Sequence, residues 1–237
     1  MPGRTVLLLP NISMSEFATQ LLALLDDPGY ALLTPSPLAK DAIDLEKQIT
    51  VISVLLGRGF ASSAAYVTLR AKDDEGFLAK HTESIYARAG IAPYFLLGCV
   101  TPAKEGGHTR IFDGRRAASI IRNKYPALEA SEIEYSSVAY REERATYPLC
   151  TGGVLRFRGR TASNKIVHLP RQYSESRFYN VVDSVLEQCV LVEHRWRRGD
   201  ILVVNNKITL HDRTPFKGQR VLVRVRFDDP LNVSVTY

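Results

Sequence analysis

The sequence predicts a mainly β fold with flanking helices, closed as a twisted sandwich or barrel, and three observations predict it. Beyond Ala65, short runs rich in β-branched and aromatic residues recur between Gly, Pro, Asp and Asn turn signals. The residues ahead of that point carry helical apolar spacing instead, and only two later segments return to it. No run of apolar residues approaches a membrane span.

The elements follow in order. Phe17, Leu21, Leu22, Leu24 and Leu25 share helical spacing behind the candidate caps Ser13 and Ser15, and Pro28-Gly29 stops this first helix. A short strand "YALL" comes next. A second helix runs through "DAIDLEKQITVISVLLG", with Gly57 as its expected end. The strand candidates are then "AYVTLRA", "PYFLLGCV", "IEYSSVAY", "GVLRFRG", "CVLVEHRW", "DILVVNN", "VLVRVRF" and "LNVSVTY". Helices "GRRAASIIRNKY" and "ESRFYNVVDSVLEQ" interrupt them. Closely spaced strands with few helices imply that the helices cover one outer face. No repeat or linker is visible, so residues 1–237 read as one domain with an N-terminal helical segment.

Composition narrows the function classes. A chain of 237 residues, 45% hydrophobic and 24% charged, is large enough to bury a sizeable core. The formal charge of +6 suits anionic ligands, but basic and acidic residues are interleaved, as in "YREERATY", which argues against nucleic acid as a partner. Cys99, Cys150 and Cys189 are odd in number and widely spaced, the pattern of reduced thiols. The start "MPGRTVLLLPNISMSEF" lacks a signal-like h-region, so the expected location is the cytoplasm, with no membrane association.

The chemistry lies in "HTE", residues 81 to 83, and in "LHDRTPF", where His211 follows a short apolar run. On a strand, period-2 alternation aims His81 and Glu83 to one side and Thr82 to the other. A third ligand from a strand far along the chain is how a jelly-roll barrel, a double-stranded β-helix, places two His and one carboxylate on one face of a metal. That arrangement leaves the opposite positions open for a chelating cosubstrate and for O2, as in non-haem Fe(II) oxygenases.

At these residues the chain resembles the Fe(II)/2-oxoglutarate-dependent dioxygenases of the taurine dioxygenase and clavaminate synthase type. "HTE", "GGHT" at 106 to 109, "WRRGD" at 196 to 200, "NN" before a short strand, and "LHDRTPF" with "QRVLVRVRF" occur in family order. The resemblance implies His81, Glu83 and His211 as Fe(II) ligands, Thr109 and Arg220 as the 2-oxoglutarate contacts, and Arg224 as a contact to an anionic group of the substrate. It implies a hydroxylase releasing succinate and CO2. The implied substrate is an amino acid or amino-acid-derived small molecule of biosynthesis, free or tethered to a carrier protein. Glu83 stands where the halogenases of this family have a small residue. Asp212, after the distal histidine, also departs from the family, where a small residue is common.

Other polar residues have plainer readings. His108, His168 and His194 lack a carboxylate at ligand spacing and read as structural or exposed, and Trp196 as a core anchor. Arg141 or Arg144 could sit at a pocket mouth. Of Arg224 and Arg226, which share alternation with Arg220, at least one is expected inside. The rival functions are a divalent-metal hydrolase using the same three ligands and a non-catalytic jelly-roll protein.

Overall fold

The computed structural model describes residues 5–7, 13–34, 42–60, 63–71, 78–87, 91–136, 144–161 and 164–228. Two sheets form its centre. The larger has six strands in the order Thr5–Leu7, Tyr30–Thr34, Ile201–Asn205, Tyr94–Thr101, Arg220–Asp228 and Ser63–Ala71, antiparallel except for the first pair. The smaller has four antiparallel strands in the order Val190–His194, Thr109–Asp113, Thr209–Arg213 and Leu78–His81. This is the expected jelly roll. Its neighbours in a sheet are far apart in sequence, so each strand is set by long-range pairing.

Alternation along the strands divides the core into three layers. Phe95, Leu97, Leu202, Val204, Leu222 and Ile111 meet between the sheets. Leu96, Ile201, Val203 and Val225 point the other way, against Phe17 and Leu21 of helix α1 (Met14–Asp26) and Ile49 and Ile52 of helix α2 (Ala42–Phe60). On the far side, Phe112 and Leu210 meet Ile121 of helix α3 (Gly114–Lys124) and Phe178, Val182 and Leu186 of helix α4 (Glu175–Glu187). Helices therefore cover both outer faces rather than one. The physical reason is that strands such as Thr209–Arg213 are buried on both sides and each sheet needs its own cover.

The local signals mostly hold. Ser13 caps α1 in a full capping box with Glu16. Gly57 does not end α2, which continues to Phe60. "GVLRFRG" forms only the two-residue strand Val154–Leu155 and then a loop that touches His81 through Arg158. Of "IEYSSVAY", Ile133–Ser136 lies in a strand and the rest is outside the described residues, as is all of "LNVSVTY".

Asp212, the family departure, is explained by packing. It points away from His211, is 4% exposed, and takes the Arg110 Nε at 3.0 Å. Arg110 also reaches Glu187 at 3.1 Å, and Lys80 bridges Glu187 and Asp183, both on α4, at 2.8 and 2.7 Å. This network fastens α4 to the strand that carries His211. Asp212→Asn should lower stability by about 1–3 kcal/mol in urea denaturation, because Arg110 keeps its charge in a half-buried setting.

The "GGHT" turn depends on a close approach. Gly106 has φ +66°, and a Cβ there would lie 2.1 Å from the Pro215 carbonyl oxygen. Gly106→Ala should therefore cost about 2–4 kcal/mol by the same measurement, since strain and a backbone clash add.

Candidate metal centre

His81 and His211 are direct cross-strand partners on the smaller sheet, and their rings lie 4.1 Å apart. Both face the space between the sheets. His211 is 6% exposed and packs on the Phe95 ring at 4.6 Å. Glu83 arrives differently from the expectation. The strand ends at His81, and Glu83 starts a turn in which Ser84 has φ +57°. Strand alternation therefore does not aim this carboxylate.

The turn still delivers it. Glu83 Oε2 lies 3.8 Å from His81 Nε2 and 3.7 Å from His211 Nε2. One ligand atom from each of the three lies within 4.8 Å of the others, and among the described residues this is the one such group of His, Cys, Asp and Glu. Glu83 Oε1 takes Arg224 Nη1 at 3.0 Å and the Ser84 hydroxyl at 3.3 Å, which leaves Oε2 facing the imidazoles. Arg226 Nη1 donates to Ser84 Oγ at 2.8 Å. Both Arg224 and Arg226 are thus engaged from the inner side.

The donor set fits a divalent metal. His81 Nδ1 donates to the Ala79 carbonyl at 2.8 Å, which leaves the Nε2 lone pair toward the shared space. Burial and then the neighbouring His81 push the His211 imidazole well below its usual range, so it is neutral and able to ligate. For Glu83, burial works to raise the carboxyl, but His81, the Arg224 charge and His211 outweigh it and hold it well below the usual carboxylate range. The site thus presents the neutral His211 imidazole, the Nε2 of His81 and one ionised carboxylate. A soft or thiolate-seeking metal has no partner here.

A cavity of about 370 Å³ opens over these atoms, and Thr109, Arg220 and Arg224 line it with the three ligand residues. Thr109 is 2% exposed and accepts the Trp196 indole N–H at 3.0 Å, so Trp196 is a core anchor with a polar task. Arg220 is 6% exposed, and its guanidinium lies 5.9 Å from the Phe216 ring centre.

Sequence reasoning gave no role to three residues that shape the site. Arg213 lines the cavity, and its position two residues beyond His211 on one strand was the available signal. Ser84 and Asn206 hold Glu83, and only the "NN" pair hinted at the latter. His108 pairs with Glu193 at 2.7 Å, His168 is exposed and His194 is buried away from the cavity lining. Arg144 lies on an exposed strand 4.0 Å from Glu134 and does not line the cavity, and Arg141 is outside the described residues.

No curated protein matches the chain in sequence. Among solved structures it is similar to PvcB of Pseudomonas aeruginosa, at 18% identity and TM-score 0.71 over 95% of this chain and 86% of that one. A second PvcB structure, described as an Fe, alpha-ketoglutarate dependent oxygenase from an isonitrile synthetic pathway, gives 18% and 0.66 over 95% and 82%. A taurine dioxygenase of Burkholderia xenovorans gives 15% and 0.67 over 94% and 85%. These likenesses establish the fold. The model of the family "Taurine catabolism dioxygenase TauD, TfdA family" matches residues 8–226, nearly the whole chain, and the protein therefore belongs to this family of dioxygenases.

Proposed function

We propose that the protein is an Fe(II)- and 2-oxoglutarate-dependent oxygenase that hydroxylates an amino acid or amino-acid-derived small molecule, free or carrier-tethered, in the cytoplasm. The observation that carries this reading is the meeting of His81, Glu83 and His211 at the floor of a cavity whose wall holds Arg220 and Thr109. His81, Glu83 and His211 would hold the iron, which would supply oxygen activation, with 2-oxoglutarate converted to succinate and CO2 as the substrate is oxidised.

The chain's own residues do the rest. Arg220 stays charged when buried and offers two parallel donors to the far carboxylate of 2-oxoglutarate. The Thr109 hydroxyl already accepts from Trp196, so its own proton is directed to another acceptor, and the same carboxylate is suited to it. Arg224 gives Nη1 to Glu83 and keeps its other donors for an anionic group of the substrate. A volume of about 370 Å³ is near the lower end of ligand cavities, so little room remains beside 2-oxoglutarate for anything but a small molecule or the end of a tethered one.

The test is an anaerobic titration with Fe(II) and then 2-oxoglutarate, read by the weak visible absorption of the chelate. The expected result is a band in the wild-type protein and a 2-oxoglutarate affinity about 10- to 100-fold weaker in Arg220→Ala, the loss of a charge-assisted pair. Iron binding without any band would overturn the 2-oxoglutarate assignment and favour a hydrolase-type use of the same ligands.

A further inference from the structure

Glu83 has left its strand, yet its main chain is among the best-held in the site. The Asn206 side chain, 0% exposed, accepts the Glu83 N–H at 2.9 Å and donates to the Glu83 carbonyl at 3.0 Å. Its remaining amide proton goes to the Ala92 carbonyl at 2.7 Å. One side chain thus replaces, for a single residue, both hydrogen bonds that a neighbouring strand would have made. Thr82, just before, already turns its N–H to the Phe157 carbonyl at 2.8 Å.

Asn206 is itself fixed from outside. It lies in the turn between the Ile201–Asn205 and Thr209–Arg213 strands, donates its N–H to the Pro93 carbonyl, and receives Arg156 Nη1 on its own carbonyl at 2.9 Å. Arg156 Nη2 holds the next carbonyl, that of Lys207, at 2.8 Å. The turn that precedes the His211 strand therefore also carries the bracket for Glu83. One continuous piece of chain thus carries His211 and holds Glu83.

We infer that Asn206 is a positioning residue for the metal-ligating carboxylate, setting where Glu83 stands relative to His81 and His211. The inference rests on the metal-binding reading above. It is specific to the amide: an aspartate would offer no donor to the Glu83 and Ala92 carbonyls, and it would set a second negative charge beside a buried one. A serine has one proton to donate where the amide has two, so it leaves either the Glu83 or the Ala92 carbonyl unpaired.

Arg156 provides the matched comparison, because it steadies the same turn and touches neither Glu83 nor the ligand histidines. The experiment titrates the folded protein with Co(II), reads affinity and ligand-field absorption, and records Tm for each variant. Asn206→Ala should bind Co(II) about 10- to 100-fold more weakly than wild type and with shifted bands. Arg156→Ala loosens the turn but leaves the amide that brackets Glu83, so at a comparable loss of Tm it should weaken Co(II) binding clearly less than Asn206→Ala. Should Asn206→Ala not fold, Asn206→Ser is read in its place. An unchanged Co(II) affinity on loss of Asn206, or an equal loss in Arg156→Ala, would overturn the inference and leave the metal centre intact. Absence of Co(II) and Fe(II) binding in the wild-type protein would remove the metal reading and this inference together.

Discussion

The structure depends on keeping an ionised carboxylate, that of Glu83, almost wholly out of water. Left alone, such a group costs several kcal/mol and would take up a proton instead. It stays ionised because the Arg224 guanidinium and the Ser84 hydroxyl take its Oε1, while Oε2 is left facing the two imidazoles. These groups come from different parts of the chain. Arg224 rides on the larger sheet, the histidines on the smaller one, and Ser84 on the turn between. The carboxylate can be buried only if both sheets are in register, since a slip of one residue on the Arg220–Asp228 strand would turn Arg224 and Arg220 to the helix side.

The strand that carries His211 shows how the outer layer serves the inner one. It is buried on both faces, so polar residues on either side need partners. His211 faces the cavity, while Asp212 faces α4 and is met by Arg110. Lys80, one residue before His81, is drawn into the same outer network by Asp183 and Glu187. Each ligand histidine therefore has a neighbour in sequence tied to one helix. Ion pairs at the edge of this network contribute little through exposed partners such as Glu187, and more through Asp212, which is shielded.

Much of this was legible in the sequence, and what was not has physical causes. The two histidines could be read because "HTE" and "LHDRTPF" are short motifs that occur in family order, and Arg220 and Arg224 because they share one strand face. Thr109 was visible through its Gly-Gly turn. The turn at Glu83 was not, because Ser84 at positive φ carries no mark in composition; Gly or Asn would have announced it. Asn206 acts across 123 residues, a separation at which no local pattern speaks. The two-sided helical cover was missed for a related reason: apolar alternation says which residues are buried, and not which layer covers them. Gly57 failed as a helix end because a glycine marks only a permitted stop.

The charges around the cavity bear on what it can accept. Among the described residues that line it, Asp212 is matched by Arg110 and Arg224 gives Nη1 to the carboxylate of Glu83, so the charged groups gather on the side that holds the three ligands. Leu69, Leu97 and Leu222 supply the apolar part of the wall, where the carbon to be oxidised can lie without water beside it.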